Sequence, residues 1–449
     1  MRIILDIVEL APGGEGVGRA EDGRVVFVPY TAPGDRVAVD LPGGTGAVHP
    51  RLLELIAAGP DRLTPPCRHF GPSEMGGPVP PAAAELPHAD RMCGGCEWLH
   101  LAYPIQLAAK ERAFHETLRR IGRLEPGSYR ALPIAGSPRP LRYRSRAKFH
   151  LDRGTGRLVF FRRRSHVPVQ LVECHLLDEA LDGLREVAGP ALRDVGLDVR
   201  EATLEWSAHE RRGAAWLQLS SLGTSTRARG EALLAALPQL AGIVLGAEGA
   251  APLVVGRPVL RHERRPGDPA AGVQRSRPDV FQQANRGANA LLVERALDLL
   301  RPDGEDVLEL FCGAGNFTGP LAARARSVDA VEVLGPSLEL ARADLTGANI
   351  RFIAGDALAV ARGLSKEGGP ARRSYGAVLL DPPRAGARGL GSVLRELGAP
   401  RAVYVSCDPA TLARDLKGCR EAGYAVEVVQ AVDLFPQTHH VEGVALLTR

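Results

Sequence analysis

Between residues 306 and 447, short apolar and β-branched runs alternate with helix-like stretches, and this alternation leaves few folds open. Strand-like pieces fall at 306–311, 327–332, 350–353, 377–380, 402–406, 425–431 and 441–447, with helical patterns between all but the last two. Such a series predicts a mostly parallel, doubly wound α/β sheet whose final two strands form an antiparallel edge. The turns at the carboxyl ends of parallel strands gather along one crevice, which is where ligands bind in such sheets.

Three of those strand ends carry reactive groups. Val403-Tyr404-Val405-Ser406-Cys407-Asp408-Pro409 is a strand that stops at a turn and delivers a thiol, so Cys407 is a candidate nucleophile. A lone cysteine after a buried strand is more often a small packed hydrophobe, and its neighbours carry the stronger argument. The apolar run 375–380 breaks at Asp381-Pro382-Pro383-Arg384, and the run 440–447 carries one carboxylate, Glu442. Gly313, Asp381 and Cys407 are thereby expected on one crevice.

The first turn, Gly313-Ala314-Gly315-Asn316-Phe317-Thr318, lacks the third glycine of a dinucleotide fingerprint, Thr318 standing in its place. Glu332, ending the second strand, is placed to hold a ribose diol, which suits S-adenosylmethionine and NAD alike. Asp356 ends the third strand, where an acid can accept from an adenine amino group. Each acid alone also reads as a helix cap.

Upstream, residues 1–59 alternate short strand-like pieces with glycine turns, the pattern of a small antiparallel barrel. This stretch resembles the TRAM domain, an OB-like RNA-binding module. The seven cysteines come without a secretory signal, so spacing is read for metal or catalysis. Cys67, the Cys93-Gly94-Gly95-Cys96 pair and Cys174 make a four-thiolate set whose spacing alone does not separate zinc from an iron–sulfur cluster. Residues 105–121 have the apolar spacing of a structural helix. The segments 142–150 and 160–166 alternate bases with aromatics around the turn at Gly154-Thr155-Gly156. That hairpin suits single-stranded RNA, or else is a solvated strand face. An Arg/Pro/Gly-rich connector over 261–278 marks a domain boundary. The expected domains are a barrel over 1–59, a central α+β domain over 60–275 and a catalytic domain over 276–449. Net charge is only +4 with the bases clustered centrally, and no apolar run approaches the ~20 residues that span a bilayer, so a cytoplasmic protein is expected.

Together these residues resemble the RNA uracil-5-methyltransferase family, of the type that acts on 23S rRNA and carries an iron–sulfur cluster. The resemblance spans nearly the whole chain, through the barrel, the four cysteines, Tyr143-Arg144-Ser145-Arg146, Ser165-His166, Phe281-Gln282-Gln283-Ala284-Asn285, Phe311-Cys312-Gly313, Asp381-Pro382-Pro383-Arg384, Ser406-Cys407-Asp408-Pro409 and His440-Val441-Glu442. It implies a class I methyltransferase sheet with S-adenosylmethionine held by Gln283, Phe311, Asn316, Glu332, Asp356 and Asp381. It further implies a nucleophile at Cys407, a base at Glu442 assisted by Asp381, a [4Fe-4S] cluster on Cys67, Cys93, Cys96 and Cys174, an RNA partner and a monomer. The chain departs from the family pattern in the long stretch 68–92 between the first two cluster cysteines, a loop expected to bulge outward without moving its ends.

A cysteine rather than a serine fits this chemistry, because attack at C6 is what makes C5 of uracil nucleophilic. An NAD-dependent oxidoreductase has no use for Cys407, and a non-catalytic RNA-binding protein has none for the thiol and two carboxylates. RNA cytosine-5 enzymes usually carry a different cysteine-bearing motif where this chain has Asp381-Pro382-Pro383. A tRNA uridine is the nearest rival substrate.

Overall fold

The computed structural model describes residues 1–43, 47–72, 92–365 and 374–449. Most of the loop expected to bulge between Cys67 and Cys93, residues 73–91, therefore lies outside the described residues. Among the described residues no helix is long and apolar enough to cross a membrane.

The C-terminal sheet has eight strands in the order Ile350–Ala354, Ser327–Glu332, Asp306–Leu310, Ala377–Leu380, Arg401–Ser406, Glu442–Thr448, Ala425–Val432 and Arg130–Ala135. The first five run parallel, and their central members are buried on both faces, as parallel strands covered by helices must be. Glu442–Thr448 inserts antiparallel between Arg401–Ser406 and Ala425–Val432. The antiparallel pair is thus present, but it is not the edge. Arg130–Ala135 pairs parallel with Ala425–Val432 and covers it. This short strand contains Pro133, which an outer strand tolerates because one side needs no ladder donor.

The helix Tyr103–Gly122 follows the same sheet, burying Phe114 and Leu118 in the cluster that holds Tyr404, Leu412 and Leu416. Residues 103–135, read from sequence as part of the central domain, therefore pack with the catalytic sheet. Helix Leu390–Leu397 crosses Pro409–Glu421 at Gly391, where an added Cβ would meet Gly418 O at 2.4 Å. A Cβ at Gly418 would meet nothing within 4 Å. Gly391→Ala is expected to destabilise by about 1–3 kcal/mol through overpacking, and Gly418→Ala to stabilise by about 0.5–1 kcal/mol as a helix-interior glycine replacement. Urea denaturation of the two variants checks the opposite signs.

The central sheet runs Pro168–Val169, Arg157–Phe161, Arg146–Asp152, Val199–Ser207, Arg212–Leu219, Leu240–Gly246 and Leu253–Gly256, antiparallel except between Arg212–Leu219 and Leu240–Gly246. Helices Glu179–Asp194 and Thr226–Ala236 cover its apolar face. The stretch read as a connector is instead a hairpin, Leu260–Arg265 with Asp268–Ser276, turning at Gly267. Ion pairs from Arg264 and Arg275 to Asp344 and from Arg265 to Glu294 tie it to the catalytic helices. The N-terminal barrel consists of two three-stranded antiparallel sheets around Leu5, Val26, Val28, Val37, Val39 and Leu52.

Candidate active site

Cys407 follows a strand in which Val403, Tyr404 and Val405 are wholly buried, and Asp408 then starts the next helix. One Asp408 carboxylate oxygen accepts from the backbone N–H groups of Ala410 and Thr411, both at 2.9 Å, with Pro409 in the first turn. The thiol is fixed at this sharp strand-to-helix junction. Asp381 ends Ala377–Leu380, where Pro382 and Pro383 stop the ladder. Glu442 opens Glu442–Thr448 and is 2% exposed.

These three groups act on one another. Burial pushes the Glu442 carboxyl up to about 8, the Asp381 charge adds to that, and the Arg384 guanidinium opposes it. Burial pushes Asp381 up to about 7. Cys407 is pushed up to about 11 by burial, then by Glu442 and Asp381, with Arg384 again opposing. A thiol, two acids poised near neutrality and one guanidinium thus share a crevice at the carboxyl ends of the strands. Such an arrangement can add a thiolate to an electrophilic carbon and move a proton afterwards.

On the cofactor side, Phe311 adopts φ 62 and leads into Gly313 and Gly315, both also left-handed. Glu332 folds back onto this turn, accepting from Gly313 N–H at 2.9 Å and, through its other oxygen, from Val333 and Leu334 N–H at 2.8 Å. The side chains of Val333 and Leu334 lie open beside it. The Asn316 amide pairs reciprocally with Asn289 at 2.8 and 3.0 Å. Asp356 accepts from Ala359 N–H at 2.8 Å ahead of Ala357–Ser365, so the helix-cap reading of this acid describes its present contact. Gln283 is half-buried between the exposed Phe281 and the buried Asn285, and Asn285 ties this segment to Leu434 O and Ser137.

One group escaped the sequence reading. Glu309, in the strand Asp306–Leu310, is fully buried. Neither of its oxygens has a hydrogen-bond partner in good geometry, and the Thr318 hydroxyl, which lies beside it, has none either. Burial pushes it up to about 8, opposed by the Thr318 hydroxyl and by Arg264 and reinforced by Asp381 and Glu332. Its strand position in Val307-Leu308-Glu309-Leu310 is the one available signal, an acid where the pattern demands an apolar residue.

Cys67, Cys93, Cys96 and Cys174 line a single cavity with Leu99, Arg144, Phe160 and Leu176. Burial raises all four thiols, to about 12 for Cys67 and Cys93. Arg144 presents a buried guanidinium whose Nε has no partner, a positive charge suited to an anionic occupant. Among the described residues no three His, Cys, Asp or Glu side chains are gathered as ligands of one metal ion. Four thiols lining one cavity are a donor set that suits zinc and an iron–sulfur cluster alike.

The hairpin 142–166 forms as expected, but its charges divide. Arg144 lies in the cysteine cavity, and Arg146 donates to Val280 O and Pro278 O and faces the buried Glu205. Lys148 reaches Glu201 at 2.8 Å. Arg164 approaches Glu15 of the barrel at 3.4 Å while its side chain remains largely exposed, and aromatic–histidine stacks stand at Phe161–His150 and, on the barrel, at Phe27–His49. The basic stripe seen in the sequence is therefore partly an internal brace, because the strand alternation sends its bases against acids of neighbouring strands.

The fold and site define a class I methyltransferase with an appended barrel. Residues 270–449 match the tRNA (Uracil-5-)-methyltransferase family and residues 3–41 match the TRAM domain. The chain is 32% identical to the 23S rRNA (uracil(1939)-C(5))-methyltransferase RlmD of Pseudomonas putida, covering 98% of this chain and 92% of that one. It is 33% identical to the uncharacterized RNA methyltransferase tlr0942 of Thermosynechococcus vestitus, covering 99% and 98%. A Pyrococcus abyssi tRNA (uracil-54, C5)-methyltransferase, solved with S-adenosyl-L-homocysteine, shares the fold over the full length of both chains at TM-score 0.70 and 21% identity. The chain belongs to the RNA uracil-5-methyltransferase family.

Proposed function

We propose that the protein methylates C5 of a uridine in 23S rRNA. The convergence of Cys407, Asp381 and Glu442 on one crevice carries this reading, and the full-length likeness to the Pseudomonas rRNA enzyme favours rRNA over tRNA. S-adenosylmethionine supplies an electrophilic methyl group when bound, held by Gln283, Phe311, Asn316, Glu332, Asp356 and Asp381. Cys407 adds to C6 of the uracil, its thiol proton passing to the Asp381 carboxylate, and C5 gains the electron density to take the methyl group. Glu442 then removes the C5 proton, so that the double bond re-forms and the Cys407 thiolate leaves. Asp381 orients the thiol and the base. Arg164, Phe27 and His49 offer charge and stacking faces to splayed-out RNA, as single-strand recognition requires. The cysteine cavity holds a [4Fe-4S] cluster on Cys67, Cys93, Cys96 and Cys174.

Incubation with labelled S-adenosylmethionine and either 23S rRNA or bulk tRNA, followed by mass mapping, tests the substrate. Methyl transfer to one uridine of the rRNA is expected, and exclusive tRNA labelling overturns that choice. Protein purified without oxygen is expected to be brown, with iron and sulfide in equal amounts. Zinc in their place overturns the cluster.

A further inference from the structure

The loop from Asp433 to Val441, which delivers Glu442 to the crevice, is held in large part by the segment that follows Cys96. Backbone N–H groups of Glu97 and Trp98 both donate to Gln437 O, at 2.8 and 3.1 Å. Gln437 sits at φ 70, an uncommon conformation for a non-glycine residue that persists only where its surroundings over-determine it. Its N–H donates to Gln106 Oε1 at 2.9 Å, and Gln106 Nε2 returns a 2.9 Å bond to its side chain. Lys110 and Tyr103 anchor Asp433, at 2.6 and 2.9 Å. Tyr143 donates to Pro436 O at 3.0 Å.

Within this clamp one contact acts next to the base itself. The Glu97 carboxylate takes the His439 backbone N–H at 3.2 Å and makes a short contact with the same residue's Nδ1. The His439 ring packs against His440 with centroids 4.3 Å apart and the planes tilted by 37°, and His440 and Val441 lead directly into Glu442. Arg163, from the hairpin, approaches Glu97 at 3.5 Å, and Gly14 of the barrel packs against Glu97 and His439 closely enough that a Cβ there would meet both within 3.2 Å. The contact joins residues 342 apart in sequence.

We propose that Glu97 is a positioning residue for proton removal, holding His439 and thereby the orientation of the strand start that presents Glu442. The inference rests on the functional reading above. Glu97 touches neither the thiol nor the glycine turn, so addition and methyl transfer proceed without it, whereas release from the adduct depends on it. The clamp also couples the cysteine cavity to the base through adjacent residues, Cys96 and Glu97.

Holoenzyme carrying Glu97→Ala is expected to bind S-adenosylmethionine as the wild type does and to retain its iron. It should form product about 100-fold more slowly, the scale of a misplaced catalytic group, while a labelled protein–RNA band accumulates on denaturing gels. Glu97→Gln, whose amide oxygen still accepts from both His439 donors, should recover most of the turnover. His439→Ala, away from the cysteines, should reproduce the stalled band even if Glu97→Ala loses iron. Product and band falling together in His439→Ala, or wild-type turnover in it, overturns the proposal. Glu442→Gln serves as the reference: if it too builds no band, the assignment of the base has failed instead.

Discussion

Glu442→Gln is expected to convert the enzyme into one that methylates and then stops. Neither thiol addition nor methyl transfer uses this carboxylate, while the C5 proton has no other assigned acceptor. A band carrying cofactor label should therefore survive denaturing electrophoresis, with turnover lowered by about 10²–10⁴-fold as for loss of a general base. Cys407→Ala should give no band, and the double variant should match Cys407→Ala because the two groups act in series. Wild-type turnover in Glu442→Gln refutes the base. A labelled band from Cys407→Ala moves the nucleophile to Cys312 or Cys419, both buried and outside the cysteine cavity.

The second large effect is on stability, and its sign follows from the raised carboxyls. Glu442 and Glu309 ionise near 4.5 in an unfolded chain and near 8 in the folded one. Below about 4.5 both states hold the proton and neither group distinguishes them. As pH rises through the window from 4.5 to 8, the unfolded state releases protons that the folded state retains, so stability falls, and above 8 the full deficit persists. A shift of this size corresponds to about 1.4 kcal/mol per unit, against which a buried amide costs about 1–3 kcal/mol. Glu309→Gln and Glu442→Gln should therefore stabilise by about 2 kcal/mol at pH 8.5, and lose the advantage by pH 5. Denaturant unfolding at the two pH values measures this. A variant less stable than wild type at pH 8.5 overturns the reading of that group as a buried neutral acid.

Much of the crevice was legible because its parts are marked locally. A strand's end is set by the residues that break it, and Pro382-Pro383 after Asp381 and Asp408-Pro409 after Cys407 are such signals. The cysteine set was readable for a related reason, since a Cys-Gly-Gly-Cys pair declares itself without its partners, and the structure brings Cys67 and Cys174 to the same cavity. The helix-cap alternative for Asp356 was also visible, because a cap needs only its next few residues.

What escaped depends on partners far along the chain. Arg130–Ala135 carries no strand periodicity strong enough to read, and becomes the sheet's outer strand only because Ala425–Val432 offers it a free ladder. Arg144 and Arg146 look like solvent-facing bases until tertiary packing sets the cysteine cavity and Glu205 against them. Glu309 is an ordinary acid in sequence, and it is the closure of the sheet around it that leaves its oxygens without hydrogen-bond partners in good geometry. The sequence by itself determined the alternation of elements, where each strand stops and which reactive side chain stands at its end, since backbone propensity and turn chemistry act over a few residues. Only the tertiary structure decided which charges are buried, how high the carboxyls titrate and that Glu97 meets His439, because burial and pairing depend on segments hundreds of residues apart.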